Sequence, residues 1–151
     1  MSKFNPVIKT CEDVTLIKLM NVPSDMVFIG EVFRKIAELS VDVNMISLSE
    51  NSNRSVLAFT VKDDDFIKTV EYTSKLKDGS VKPIVSSGNC IISIFDVAME
   101  NAPGVAARVF KTLAEANVQI MLITTSESQI SVLVTRADFD DAVDSLSRQF
   151  V

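Results

Sequence analysis

The sequence predicts an α+β protein made of two copies of one small-sheet unit. Two observations carry this: a long internal repeat, and the same order of hydrophobic periodicities in each half. Val32-Phe33 recurs as Val109-Phe110 and Ala37-Glu38 as Ala114-Glu115. Val41, Ile46, Ser49 and Glu50 recur as Val118, Ile123, Ser126 and Glu127, each pair 77 residues apart (110 − 33 = 77). Pro6 and Pro83 stand at the same offset. Each copy reads strand, helix, strand, strand, helix, strand.

In the first copy, Val14 to Met20 is an apolar strand, followed by a polar break at Asn21 to Asp25 that contains Pro23. Ile29, Val32, Phe33 and Ile36 fall at i, i+3, i+4 and i+7, which predicts an amphipathic helix over Val27 to Leu39. Val41 to Leu48 and Val56 to Val61 read as strands around a polar turn at Asn51 to Arg54. Asp63-Asp64-Asp65 suits a helix N-terminus, where acidic charge complements the macrodipole. That helix is expected to reach about Leu76, with Gly79 as its C-cap, before a strand at Val81 to Val85. The second copy repeats the order: strand Cys90 to Val97, a helix marked by Val105, Val109, Phe110 and Leu113, strands Gln119 to Thr125 and Ile130 to Val134, and helix Asp138 to Phe150. The offset drops to 73 late in the repeat (139 − 66 = 73), because the turn after Glu127 is shorter than the one after Glu50.

This order is the ferredoxin-like βαββαβ arrangement, an antiparallel sheet with helices on one face. The second copy has no fourth strand after its last helix, whereas the first has a spare segment upstream, Pro6-Val7-Ile8-Lys9-Thr10, similar to Pro83-Ile84-Val85-Ser86-Ser87. The expected organisation is therefore a first unit at 13–86 and a second at 1–12 plus 87–151, with the N-terminal strand covering an otherwise open sheet edge. The alternative is a disordered N-terminal tail.

Composition excludes several classes. A net charge of −5 with no Lys/Arg cluster argues against nucleic acid as a partner. The absence of His removes the usual general base and a common metal ligand, and no nucleophile–base pair can be named, so no catalytic residues and no cofactor are expected. Cys11 and Cys90 form no CxxC and read as buried free thiols, placed similarly in the two copies. No signal region or membrane-length apolar run is present, which fits a cytoplasmic protein without membrane contact. The Asp63–Asp65 run lacks calcium-loop spacing, so a solvated helix start is favoured over a metal site. Met45, Met99 and Met121 read as packing residues.

Binding chemistry concentrates at two kinds of place. Asn101-Ala102-Pro103-Gly104-Val105 opens the third helix, where Gly permits close backbone approach and free N–H groups can hold a carboxylate, though Pro-Gly also serves as a plain turn. Its counterpart is Ser24 to Gly30, in which Asp25 either caps the helix or faces a ligand ammonium. The second strand of each copy ends in Ser-Glu, at Ser49-Glu50 and Ser126-Glu127. This is ordinary turn chemistry, or an edge of hydroxyls, amide and carboxylate suited to a zwitterion.

The run Asn101 to Phe110, continuing through Leu113 to Ala116, Ile123 to Glu127 and Ile130 to Val134, resembles the second ACT unit of aspartate kinase over most of residues 90–150. Phe28 to Phe33, with Val43 to Ile46 and Ser49-Glu50, is similar to the first ACT unit of lysine-sensitive members. The resemblance implies a tandem ACT module, with one unit inserted in the other, that binds a small amino acid effector of the lysine or threonine type between ACT units and dimerises through its sheets. Carried over by position, the effector contacts are Asp25, Phe28, Asn44, Leu48, Ser49 and Glu50, with Asn101, Pro103, Gly104, Gln119 and Ile120 in the second copy. Asn44 stands where the lysine-sensitive pattern has an acidic residue, and the first copy lacks the Pro-Gly of many threonine-responsive members. A chain of 151 residues with scattered glycines and no phosphate loop leaves no room for the kinase domain, so catalysis by this chain is not expected. Two alternatives to a free-standing sensor remain: a regulatory subunit of a separate aspartate kinase catalytic chain, and a structural dimerisation module that has lost its ligand.

Overall fold

The computed structural model describes residues 4–51 and 54–150. The strands are β1 (Val7–Pro23), β2 (Ile46–Asn51), β3 (Arg54–Lys62), β4 (Lys82–Phe95), β5 (Ile120–Thr125) and β6 (Gln129–Thr135). The helices are α1 (Met26–Glu38), α2 (Phe66–Thr73), α3 (Val105–Glu115) and α4 (Arg136–Phe150). The chain divides into two compact units, Asp13–Ser87 and a second formed by the segment up to Glu12 with Gly88 onward.

In the first unit the strand order is β2-β3-β1-β4, and in the second β1-β4-β6-β5. Each is the order expected of the βαββαβ arrangement, and the N-terminal part of β1 supplies the strand that the second unit lacks. β3 pairs antiparallel with β1 (Ile17 opposite Phe59) and with β2 (Leu48 opposite Leu57). β6 pairs antiparallel with β4 (Ile92 opposite Val132) and with β5 (Ile123 opposite Val132).

Both shared strands are longer than the hydrophobic pattern implies. The sequence reading splits β1 into pieces near 5–11 and 14–20, and β4 into 81–85 and 90–97. The structure runs each through without a break. Asp13 (φ 58°) and Gly88 (φ 72°) take left-handed conformations mid-strand, and each strand continues past them. Burial along Val7–Leu19 matches burial along Lys82–Ile94 position for position, so the strands correspond at an offset of 75 (82 − 7 = 75) rather than the 77 that aligned Pro6 with Pro83. The two extra residues of the second copy lie before α3, in the connection that carries a short 3-10 turn at Val97–Met99.

Each unit buries the apolar stripes of its helices against its sheet. Ile29, Val32 and Ile36 of α1 pack with Ile17, Leu19, Leu57, Phe59 and Val61, and Phe33 meets Phe59 edge-on at 5.7 Å. Val105, Val109 and Leu113 of α3 and Phe139, Ala142, Leu146 and Phe150 of α4 pack over Ile92, Ile94, Val132 and Val134. Several contacts fasten the described part of the N-terminal segment to the second unit. Phe4 lies edge-on to Phe150 at 5.5 Å, the Asn5 N–H donates to Asp96 Oδ2 (2.7 Å), and Glu12 pairs with Arg136.

Three local expectations are corrected. α2 stops at Thr73 instead of near Leu76, and Gly79 does not cap it. The Thr69, Thr73 and Ser74 hydroxyls donate to the carbonyls of Asp65, Val70 and Glu71, so side chains compete for the helix's own acceptors. β2 begins at Ile46, not Val41, although the Asn44 N–H already donates to the Thr60 carbonyl (3.1 Å). Cys90 is buried as expected, but Cys11 is only half-buried. Of the expected turn at 51–54, Ser52 and Asn53 lie outside the described residues.

Candidate functional site

In the first unit, Asp25 occupies the N-cap of α1. Its backbone is extended (φ −132°, ψ 115°) and its Oδ1 accepts the Val27 N–H at 2.9 Å. This satisfies one of the orphan donors of the first turn. Next to it, the Ser24 and Ser55 hydroxyls share a hydrogen bond (2.9 Å), and Ser55 lies opposite Glu50 in the β2–β3 ladder. The helix entry and the Ser49-Glu50 end of β2 are thus brought to one place. Leu48 precedes them on this edge strand and is 46% exposed. Asn44 lies beyond the other end of β2, about 20 Å away along an extended chain. Phe28 is half-buried, and the Lys77 ammonium sits over its ring at 5.2 Å from the centroid.

The second unit repeats the plan with different chemistry. Gly104 stands at the N-cap of α3 with φ 94°, and no side chain caps the helix. A Cβ there would meet nothing within 4 Å, so the left-handed backbone, and not crowding, demands glycine. Pro103 is exposed ahead of it, and Asn101 is itself left-handed (φ 62°). A hollow of about 240 Å³ lies beside this loop, lined by Met99, Glu100, Asn101 and Glu127. The loop before the helix therefore again meets the Ser-Glu end of the second strand. Gln119 and Ile120 lie at the opposite end of β5, where the Gln119 N–H donates to Asp138 Oδ2 (3.1 Å) and Ile120 pairs with Val134. A second hollow of about 240 Å³ is lined by Thr124, Thr125, Ser126, Gln129 and Ser131.

Glu100 and Glu127 place two carboxylates on the Asn101 hollow, with the Asn101 amide as both donor and acceptor. That set can hold an ammonium and hydrogen-bond a carboxylate. Glu127 was available to sequence reasoning as the repeat partner of Glu50, but Met99 and Glu100 carried no motif signal. In the first unit the exposed face of α1 carries Glu31, Arg34 and Glu38. The Arg34 hydrogen bond and charge hold the Glu31 carboxyl below its usual range. On α2, burial pushes the Tyr72 phenol up. Asp63 and Asp65 have protein partners: Asp63 accepts the Thr15 hydroxyl (2.6 Å) and Asp65 pairs with Lys68 (3.3 Å). Among the described residues no group of three or more His, Cys, Asp or Glu is placed to hold a metal ion.

Comparison with known proteins yields the same architecture. The ACT domain family model matches residues 92–150. Aspartokinase 2 of Bacillus subtilis is 27% identical over 141 residues, covering 92% of this chain and 35% of that protein. An aspartokinase of Mycolicibacterium smegmatis is 33% identical over 142 residues, covering 91% and 33%. The chain thus spans about a third of the length of these curated relatives. The ligand-free regulatory subunit of aspartate kinase from Thermus thermophilus superposes with a TM-score of 0.88 at 26% identity, covering 99% of this chain and all of that one. Aspartate kinase from Synechocystis gives 0.92 at 31% identity over 99% of this chain and 27% of that one.

Proposed function

We propose that this chain, which matches the ACT domain model over residues 92–150 and is similar to an aspartate kinase regulatory subunit, is a module that binds a small amino acid and passes that signal on. The observation that carries this reading is the hollow at Asn101. Glu100 and Glu127 offer oxygens to an α-ammonium, and the Asn101 amide offers N–H to an α-carboxylate. The uncapped first turn of α3 follows three residues later and supplies further N–H donors. No step of bond making is assigned; binding free energy alone biases the module between states. The test is calorimetric titration with the common amino acids, taken singly and in pairs. Saturable binding of one, weakened in Asn101→Ala and Glu127→Gln, supports the reading, and silence across the panel overturns it.

A second reading concerns what receives the signal. The match to the Thermus thermophilus subunit covers essentially the whole of both chains, and a structure of aspartokinase alpha and beta subunits is matched over 96% of its chain. This supports a role as a regulatory partner of an aspartate kinase catalytic chain, and a cytoplasmic setting is proposed with it. Among the described residues no helix is long and apolar enough to cross a membrane. Co-purification with a kinase polypeptide tests the partnership. Edge strands β2 and β5 expose Ile46, Leu48 and Ile123, which supports self-association through the sheets. Sedimentation of the purified chain as a monomer would reject the homodimer.

A further inference from the structure

Hydrogen bonds from several parts of the second unit meet at Asp96, directly after β4. Its Oδ2 accepts the Asn5 N–H (2.7 Å), which holds the start of the N-terminal strand. Its Oδ1 accepts the Ala98 N–H (2.8 Å) and its carbonyl accepts the Met99 N–H (3.0 Å), which together close the short 3-10 turn. Its own N–H donates to the Ser128 carbonyl (3.0 Å), one residue past Glu127. The turn runs on through the Glu100 N–H to the Val97 carbonyl and the Ala102 N–H to the Met99 carbonyl (both 3.1 Å). Met99, Glu100, Asn101 and Glu127 line the hollow, so both of its sides are anchored at Asp96. At the offset of 75 that relates the shared strands, Asp96 corresponds to Asn21 and Asn5 to Ser80 (96 − 21 = 75, 80 − 5 = 75). There the Asn21 amide donates to the Ser80 carbonyl (3.2 Å). A tie between these two positions is thus common to both copies. In the second copy a carboxylate makes it, and the other carboxylate oxygen goes to the turn beside the hollow.

We propose that Asp96 is a positioning residue of the Asn101 hollow, through which the docked N-terminal segment raises the hollow's affinity for its amino acid. The inference rests on the amino-acid-binding reading above and adds how that site is regulated. A carboxylate held through both oxygens is fixed in orientation. Released at Oδ2, it can turn about its side-chain bonds, and the bond to Ala98 loosens with it. An amino acid that bridges Glu100, Asn101 and Glu127 needs those groups at a fixed spacing, so it binds the tied state more tightly. The coupling is reciprocal: filling the hollow strengthens the Asn5–Asp96 tie by the same factor.

The experiment uses the whole chain. The common L-amino acids are titrated singly by calorimetry, and exchange of the Asn5 amide is followed by NMR with and without a saturating amount of the one that binds. Asn5→Pro removes the donor and leaves Asp96 intact. Asp96→Asn leaves one acceptor oxygen for two N–H donors. Each should weaken binding on the order of fivefold or more. In the wild type, saturation should slow Asn5 exchange by a comparable factor. Glu12→Gln, which breaks the ion pair with Arg136 and leaves Asp96 untouched, should keep the affinity within about twofold. A thermal melt checks that each variant folds, and Asp96→Asn carries the test should Asn5→Pro not fold. Wild-type affinity in the Asn5 and Asp96 variants, Asn5 exchange unmoved by saturation, or an equal loss of affinity in Glu12→Gln overturns the coupling while sparing the binding reading. Absence of heat with every amino acid overturns both.

Discussion

The entries to α1 and α3 occupy the same place in the two copies and are built in opposite ways. At α1 a carboxylate closes the helix end: Asp25 accepts the Val27 N–H, and Lys77 covers Phe28. At α3 a left-handed glycine leaves the end without a side-chain cap, next to a hollow bearing Glu100 and Glu127. Helix faces repeat because the core needs them. Entries diverge because solvent-facing loops carry little packing constraint. A duplicated fold can in this way keep two similar scaffolds while leaving one helix entry open and capping the other with its own side chain.

The largest effects test the equality of the scaffolds. Ile36→Ala in α1 and Leu113→Ala in α3 remove side chains that are 1% and 0% exposed. Each should cost about 2–5 kcal/mol, read from urea denaturation. A near-neutral result at one of them would show that the units are not equally packed. Gly104→Val should cost about 1–3 kcal/mol, because valine at φ 94° is strained even in open space. The matched change at the other entry, Asp25→Ala, should cost about 1 kcal/mol through loss of the cap. Asp25→Ser, which keeps a capping oxygen, should recover most of that loss; failure to recover it would assign Asp25 a role beyond the cap.

Legibility followed the same division. The stripe Ile29, Val32, Ile36 has a 3.6-residue period and could be read directly, as could the missing fourth strand of the second copy. The continuity of β1 and β4 could not. The apolar patterns leave gaps around Asp13 and Gly88, whereas a left-handed residue there leaves the strand continuous on either side. The loop at Asn101 was visible through Pro103-Gly104, and Glu127 through its repeat of Glu50. The position of Asn44 relative to Glu50 depended on where β2 begins, and strand starts are poorly marked when apolar residues run on into coil. The Lys77–Phe28 contact joins residues far apart in the chain through a bend that propensity disfavours, so no periodicity announces it.

We expect the open entry to bind and the capped entry to stabilise. Titration of wild type, Glu127→Gln and Asp25→Ala with the amino acid that binds the wild type, alongside their melting curves, tests it most directly. The account predicts that Glu127→Gln weakens binding on the order of tenfold or more with little change in stability, while Asp25→Ala lowers stability and leaves that affinity in place. Undiminished binding in Glu127→Gln, or loss of binding in Asp25→Ala alone, would contradict it.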